Sequence, residues 1–174
     1  QMCIRDRFSG DDPDITNGVS VFTTIQRRDE PGIVFRAGKG VGTVTKRGMS
    51  LPVGEPSINK GPRTLIRSVI EEMTGRPDSG AVVTISIPEG VELAKKTLNP
   101  VLGIEGGISV IGTTGVLRPM SEEAFKDSLV PQIDVALAAQ EPVLVFVPGK
   151  IGEKIALSLG VPQTALIETS NFIG

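Results

Sequence analysis

Apolar positions recur along this chain with two periods. Stretches rich in β-branched residues at 19–26 (VSVFTTIQ), 33–37 (IVFRA) and 81–87 (AVVTISI) predict strands. A turn at 28–32 makes 33–37 the strand that returns after 19–26. Leu65, Ile66, Val69, Ile70 and Met73 recur at three- and four-residue spacing. They predict a one-striped helix that opens near Asn59 and Pro62 and closes at Gly75, with Pro77 just beyond. A short helix is expected over 91–98, broken by Asn99 and Pro100.

From 108 onward the pattern reads β-α-β-α-β. A strand at 108–111 leads to a helix that Ser121 would cap, with Glu122 and Glu123 at its positive end. Phe125, Leu129, Ile133 and Leu137 form its stripe, and Pro131 predicts a kink or break. The nearly all-apolar 142–148 (PVLVFVP) suits a parallel strand covered on both faces. A helix over 151–159 turns Ile151, Ile155 and Leu159 inward, Gly160 caps it, and 164–169 is the third strand. The expected fold class is therefore α/β and α+β. A β-rich N-terminal lobe over 8–100 precedes a Rossmann-like half over 101–174, part of a doubly wound parallel sheet that is incomplete at both ends. Residues 1–7 (QMCIRDR) follow neither period and are expected to be a non-native artefact outside the fold.

Composition narrows the chemistry. A chain of 174 residues can bury one good core or two small lobes. Its net charge of −2 argues against a general nucleic-acid binder, and no apolar run approaches the roughly 20 residues of a membrane span. Cys3 is the only cysteine, so no internal disulfide forms. With no histidine, Ser-His-Asp and Cys-His catalysis are excluded within these residues, and no protein-bound metal is expected. The absence of tryptophan and tyrosine removes base-stacking platforms. An enzyme built this way works mainly by positioning.

Candidate chemistry concentrates in a few stretches. Gly106 and Gly107 precede the 108–111 strand, and Gly112, Thr113, Thr114 and Gly115 follow it. Backbone amides and hydroxyls at such a strand end suit a ligand, though the glycines equally permit a tight turn and close helix packing. Ser170 and Asn171 end the last strand, on the same expected sheet edge. The loop 38–48 combines alternate glycines with Lys39, Thr43, Lys46 and Arg47, which fits either an anion cradle or a plain basic hairpin. Asp11, Asp12 and Asp14 offer three carboxylates for a cation or, more simply, a solvated turn. Glu55 and Asn59 lie in an extended loop, and Arg63 and Arg67 sit one turn apart on the first long helix.

The segments DDPDITNG at 11–18, AGKGVGTVTKRG, PVGEPSIN, NPVLGIEGGISVIGTTG at 99–115, PMSEEA and the terminal SNFIG resemble the CbiD family of cobalamin-biosynthesis proteins. The resemblance runs from about residue 8 to 174 and covers roughly half of a full-length member. It implies a cytoplasmic methyltransferase acting on carbon 1 of cobalt-precorrin-5B, with S-adenosyl-L-methionine as methyl donor and no nucleic-acid or membrane partner. It carries over no catalytic residue, so roles rest on chemistry. Gly106, Gly107, Gly112, Thr113, Thr114, Gly115, Ser170 and Asn171 suit the donor, and Asp12, Asp14, Glu105 and Glu168 are the carboxylates available for its ribose and amino-acid ends. Asp12, Asp14, Lys39, Thr43, Lys46, Arg47, Glu55, Asn59 and Arg63 are the candidate contacts to the cobalt-corrinoid substrate, whose acid arms call for cations and amides. A nicotinamide-dependent oxidoreductase is the competing enzyme class, weakened because no acidic residue ends the 142–148 strand. A phosphate-binding NTPase lacks its Gly-Lys-Ser/Thr ending. A non-catalytic anion-binding lobe is the third reading.

Overall fold

A computed structural model describes residues 2–7, 14–77, 79–112 and 122–169, with side chains from residue 126 onward in the last range. In chain order its first elements are β1 (Met2–Asp6), β2 (Ser20–Arg27), β3 (Ile33–Ala37), β4 (Gly40–Val41), β5 (Thr43–Val44), helix α1 (Lys60–Thr74) and β6 (Ala81–Ser86). The main sheet has the order β1-β2-β6-β3. β6 sits inside it because its residues alternate cleanly: Ala81, Val83 and Ile85 are buried and the residues between them half-buried. The strand at 33–37 does not return against β2. It pairs parallel with β6, Phe35 opposite Val83, while β2 pairs antiparallel on the other side. The long connection through α1 makes this possible, since parallel neighbours need a crossover and a helix can cover it. Residues 2–6, set apart in the sequence pattern, form an exposed edge strand against β2.

Helix α1 ends as its sequence predicts. Gly75 is left-handed (φ 64°), and its N–H donates to the Glu71 carbonyl at 2.9 Å. Its expected stripe is only half used. Pro62 and Ile70 are buried and Ile66 packs beneath them, whereas Leu65, Val69 and Met73 stay exposed. The sheet is four strands wide at this level, and one row of contacts suffices to dock the helix.

The second part carries α2 (Gly90–Ala94), α3 (Asn99–Leu102), β7 (Ile104–Glu105), β8 (Gly107–Ile108), α4 (Glu122–Ala138), β9 (Val145–Val147), α5 (Lys150–Ser158) and β10 (Leu166–Glu168). Asn99-Pro100 opens a helix instead of breaking one, because proline at the first turn removes a donor that has no partner there anyway. The expected three-strand parallel array differs too. β8 joins β4, and β7 joins β5, so both cross the expected lobe boundary near residue 100. β9 and β10 pair parallel with each other, with α5 between them in the chain. The fold is mixed α/β with several small sheets.

Helix faces in this part differ from the sequence expectation. α4 runs unbroken through Pro131 and buries Gln132, Val135 and Ala136, leaving Leu137 exposed; Ser121 and the Phe125 side chain lie outside the described residues. α5 turns Gly152 and Ala156 inward. Ile151, Ile155 and Leu159 are 78%, 56% and 78% exposed. A Cβ on Gly152 would stand 2.8 Å from Pro148, so small residues let this helix lie close to a two-stranded sheet. Phe146 on β9 is half exposed, whereas α4 packs on β10, whose Ile167 is fully buried. Among the described residues no helix is long and apolar enough to cross a membrane.

Candidate functional site

Two glycine-containing segments and an extended loop interlock between the sheets. The Gly42 N–H donates to the Ile108 carbonyl (2.9 Å), the Ser57 N–H to Gly42 (2.7 Å), the Val110 N–H to Ser57 (2.8 Å) and the Asn59 N–H to Val110 (3.0 Å). Backbone contact this close needs glycine. A Cβ on Gly40 would stand 1.7 Å from the Ile87 carbonyl oxygen, and one on Gly90 or Gly107 would stand 2.1 Å from the Gly40 oxygen. A buried polar chain runs beneath. Ser57 Oγ donates to Ser109 Oγ (2.9 Å), Ser109 Oγ to Asn99 Oδ1 (3.4 Å), and Asn99 Nδ2 to the Gly107 carbonyl (3.0 Å). Sequence reasoning missed this chain; the run Asn99-Pro100 just ahead of two glycines was its one visible trace.

The interlock gathers many of the expected site residues. Thr43 lies in β5 opposite Glu105. Gly106 (φ 86°) is an open turn in which a Cβ would meet nothing within 4 Å, and its backbone conformation itself asks for glycine. Gly107 is explained by packing. Gly112 lies beside Pro62, next to the start of α1, where Asn59 makes no capping bond with its side chain. Arg63 holds the loop from inside: Nε donates to the Ile58 carbonyl (2.7 Å), Nη2 to the Pro56 carbonyl (3.0 Å) and to Glu55 (2.9 Å), and the guanidinium lies 5.3 Å over the Phe35 ring. Lys46 donates to the Val101 carbonyl at 3.0 Å and stabilises the C-terminal end of α3, leaving Lys39 and Arg47 as the exposed cations of that loop.

Asp14 belongs to a local turn away from this cluster. It accepts from the Thr16 N–H (2.8 Å) and hydroxyl (2.7 Å) and pairs with Arg7 at 2.7 Å. Partial burial alone would raise its carboxyl, but the Thr16 bonds and Arg7 outweigh that and hold it below its ordinary value. Asp12, Thr113, Thr114, Gly115, Ser170 and Asn171 lie outside the described residues.

The sequence pattern alone does not assemble a second candidate site that the fold creates. An open cleft of about 380 Å³ lies between the 95–98 turn, α4, the start of α5 and the end of β10. Lys95, Lys96, Lys150, Ser128, Gln132 and Glu168 line it. Lys150 Nζ is 2.8 Å from Glu153 and 2.9 Å from Glu168, and bonds to these two carboxylates hold its ammonium above the ordinary lysine value. Buried Gln132 accepts the Glu168 N–H at 2.9 Å and donates to the Ser128 carbonyl at 3.2 Å, fixing the end of β10 against α4. Gly149, between β9 and α5, has φ 86° and ψ −168°, a region open essentially to glycine alone. The cleft therefore sits at the carboxyl ends of two parallel strands, where open α/β sheets bind their ligands.

The mixed α/β fold thus carries a tight glycine interlock and a charged strand-end cleft of small-molecule size. The CbiD family model matches residues 1–119, and the chain belongs to that family. It is 53% identical over 167 residues to the cobalt-precorrin-5B C(1)-methyltransferase of Moorella thermoacetica, covering 95% of this chain and 45% of the relative. The protein of the same name from Methanobrevibacter smithii is 51% identical over 168 residues, covering 94% and 46%. Among solved structures, the cobalamin biosynthesis protein (cbiD) of Archaeoglobus fulgidus matches with a TM-score of 0.52 at 27% identity, over 95% of this chain and 53% of that one. The chain spans about half the length of the curated relatives it matches.

Proposed function

We propose that this chain is part of a methyltransferase that moves a methyl group from S-adenosylmethionine to carbon 1 of cobalt-precorrin-5B, in the anaerobic route to cobalamin, in the cytoplasm and without a nucleic-acid or membrane partner. The carrying observation is the 53% identity to the Moorella relative of that name, sustained over 95% of the chain. The sulfonium donor arrives already activated. The protein then has to align donor and acceptor and keep water out, an effect worth up to ~7–11 kcal/mol. A chain without histidine suits that task. Exposed Lys39, Arg47 and Lys60, with Asn59, are the groups offered to the acid arms of the macrocycle, while Lys46 and Arg63 keep the surfaces around them in shape. The parallel β9-α5-β10 unit supports reading this part as Rossmann-like.

Calorimetry separates this reading from its competitor. The chain is expected to bind S-adenosylmethionine and to show no measurable heat with NADH. Clear NADH binding without S-adenosylmethionine binding would overturn the proposal in favour of a nicotinamide enzyme.

A further inference from the structure

The β9-α5-β10 unit places a particular set of groups together. β9 runs into Gly149 and Gly152 at the start of α5, and β10 ends on Glu168, roughly twenty residues after Gly149. In adenosine-binding α/β folds an acidic side chain at that distance and at that strand end accepts the ribose hydroxyls. The sequence pattern starts the unit one strand earlier and looks for the acid at the end of 142–148. Parallel pairing of β9 with β10 moves that position to Glu168.

The local geometry suits the role. Lys150 engages Glu168 through Oε2 at 2.9 Å, and Oε1 has no hydrogen bond among the described residues. That oxygen lies next to Gly149, 3.9 Å from where a Cβ would stand. Gln132 fixes the Glu168 backbone from behind. Across the cleft, Lys96 is exposed and has no ion pair among the described residues, which leaves a cation for a carboxylate.

The size of the cleft suits such a ligand. About 380 Å³ is near the lower end of small-molecule sites. That is room for one nucleoside with a short tail. The turn also lacks the third glycine and the open second position of a dinucleotide fingerprint, since Ile151 stands between Gly149 and Gly152. We infer that this cleft binds the adenosyl methyl donor, with its ribose hydroxyls on Glu168 and its amino-acid carboxylate toward Lys96. The inference rests on the methyltransferase reading and adds the place and the recognition chemistry of the donor.

The test titrates S-adenosylhomocysteine, the demethylated donor, into the chain and into Glu168→Gln and Lys96→Ala. Glu168→Gln is expected to weaken binding roughly tenfold or more, as loss of charge-assisted hydrogen bonds does. Lys96→Ala is expected to weaken it less, because that cation is solvated. A ligand-side comparison needs no altered fold: the intact chain should bind adenosine more tightly than 2′,3′-dideoxyadenosine, and Glu168→Gln should erase the difference. Equal affinity of wild type and Glu168→Gln for S-adenosylhomocysteine would overturn the cleft assignment and leave the methyltransferase reading standing. Binding of a cobyrinic acid without any binding of S-adenosylhomocysteine would overturn it as well. Tight NADH binding in place of both would overturn the methyltransferase reading itself.

Discussion

Gly40→Ala is expected to destabilise the chain by about 2–5 kcal/mol. Its added methyl would stand 1.7 Å from the Ile87 carbonyl oxygen, and the backbone there is fixed on both sides by Gly90 and Gly107. Overpacking of this kind costs ~1–3 kcal/mol, and the left-handed backbone (φ 78°) adds ~1–2 kcal/mol for a residue with a Cβ. Against a total of roughly 5–15 kcal/mol this is a large share, and the thermal midpoint should fall on the order of 10 °C. Gly54→Ala is the control. It shares a positive φ of 89° but has open space around it, so only ~1–2 kcal/mol should be lost. Equal losses at the two positions would show that backbone crowding in the interlock is unimportant.

Arg63→Ala is expected to cost about 2–4 kcal/mol, read as a lower urea midpoint with unchanged slope. Its side chain is 19% exposed and answers two backbone carbonyls, a carboxylate and an aromatic face at once. Glu55 is 43% exposed, so the ion pair itself contributes little and the carbonyls of Pro56 and Ile58 dominate the loss. Arg63→Lys should recover less than half of the stability, because one ammonium cannot reproduce the planar fork. Full recovery by lysine would mean that simple charge, not the directional bonds, holds the 55–58 loop to α1.

These two residues show what the sequence made legible and what it did not. Arg63 and the 38–48 glycines stood out as candidates for ligand contact, and the structure gives Arg63, Lys46 and Gly107 internal partners, which the sequence did not show. Helix α1 was readable from end to end, since a capping glycine and apolar residues at three- and four-residue spacing are local signals. Partner choice was not. β4, β5, β7 and β8 are two residues long, too short to carry a period, and their pairings join residues some sixty positions apart in one crossing. The phase of α5 was lost for a different reason. Its apolar residues form one stripe and its small residues another, and the close approach of helix to sheet selects the small ones. Glu168 was visible as a spare carboxylate; its place at the end of the second parallel strand needed the strand pairing.

The most direct test of the central claim replaces the matching segment of the Moorella thermoacetica relative with residues 8–174 of this chain. The chimera is then supplied with S-adenosylmethionine and cobalt-precorrin-5B. The account predicts a product heavier by one methyl group, placed at carbon 1. A folded chimera that binds both reactants and transfers no methyl group would contradict it.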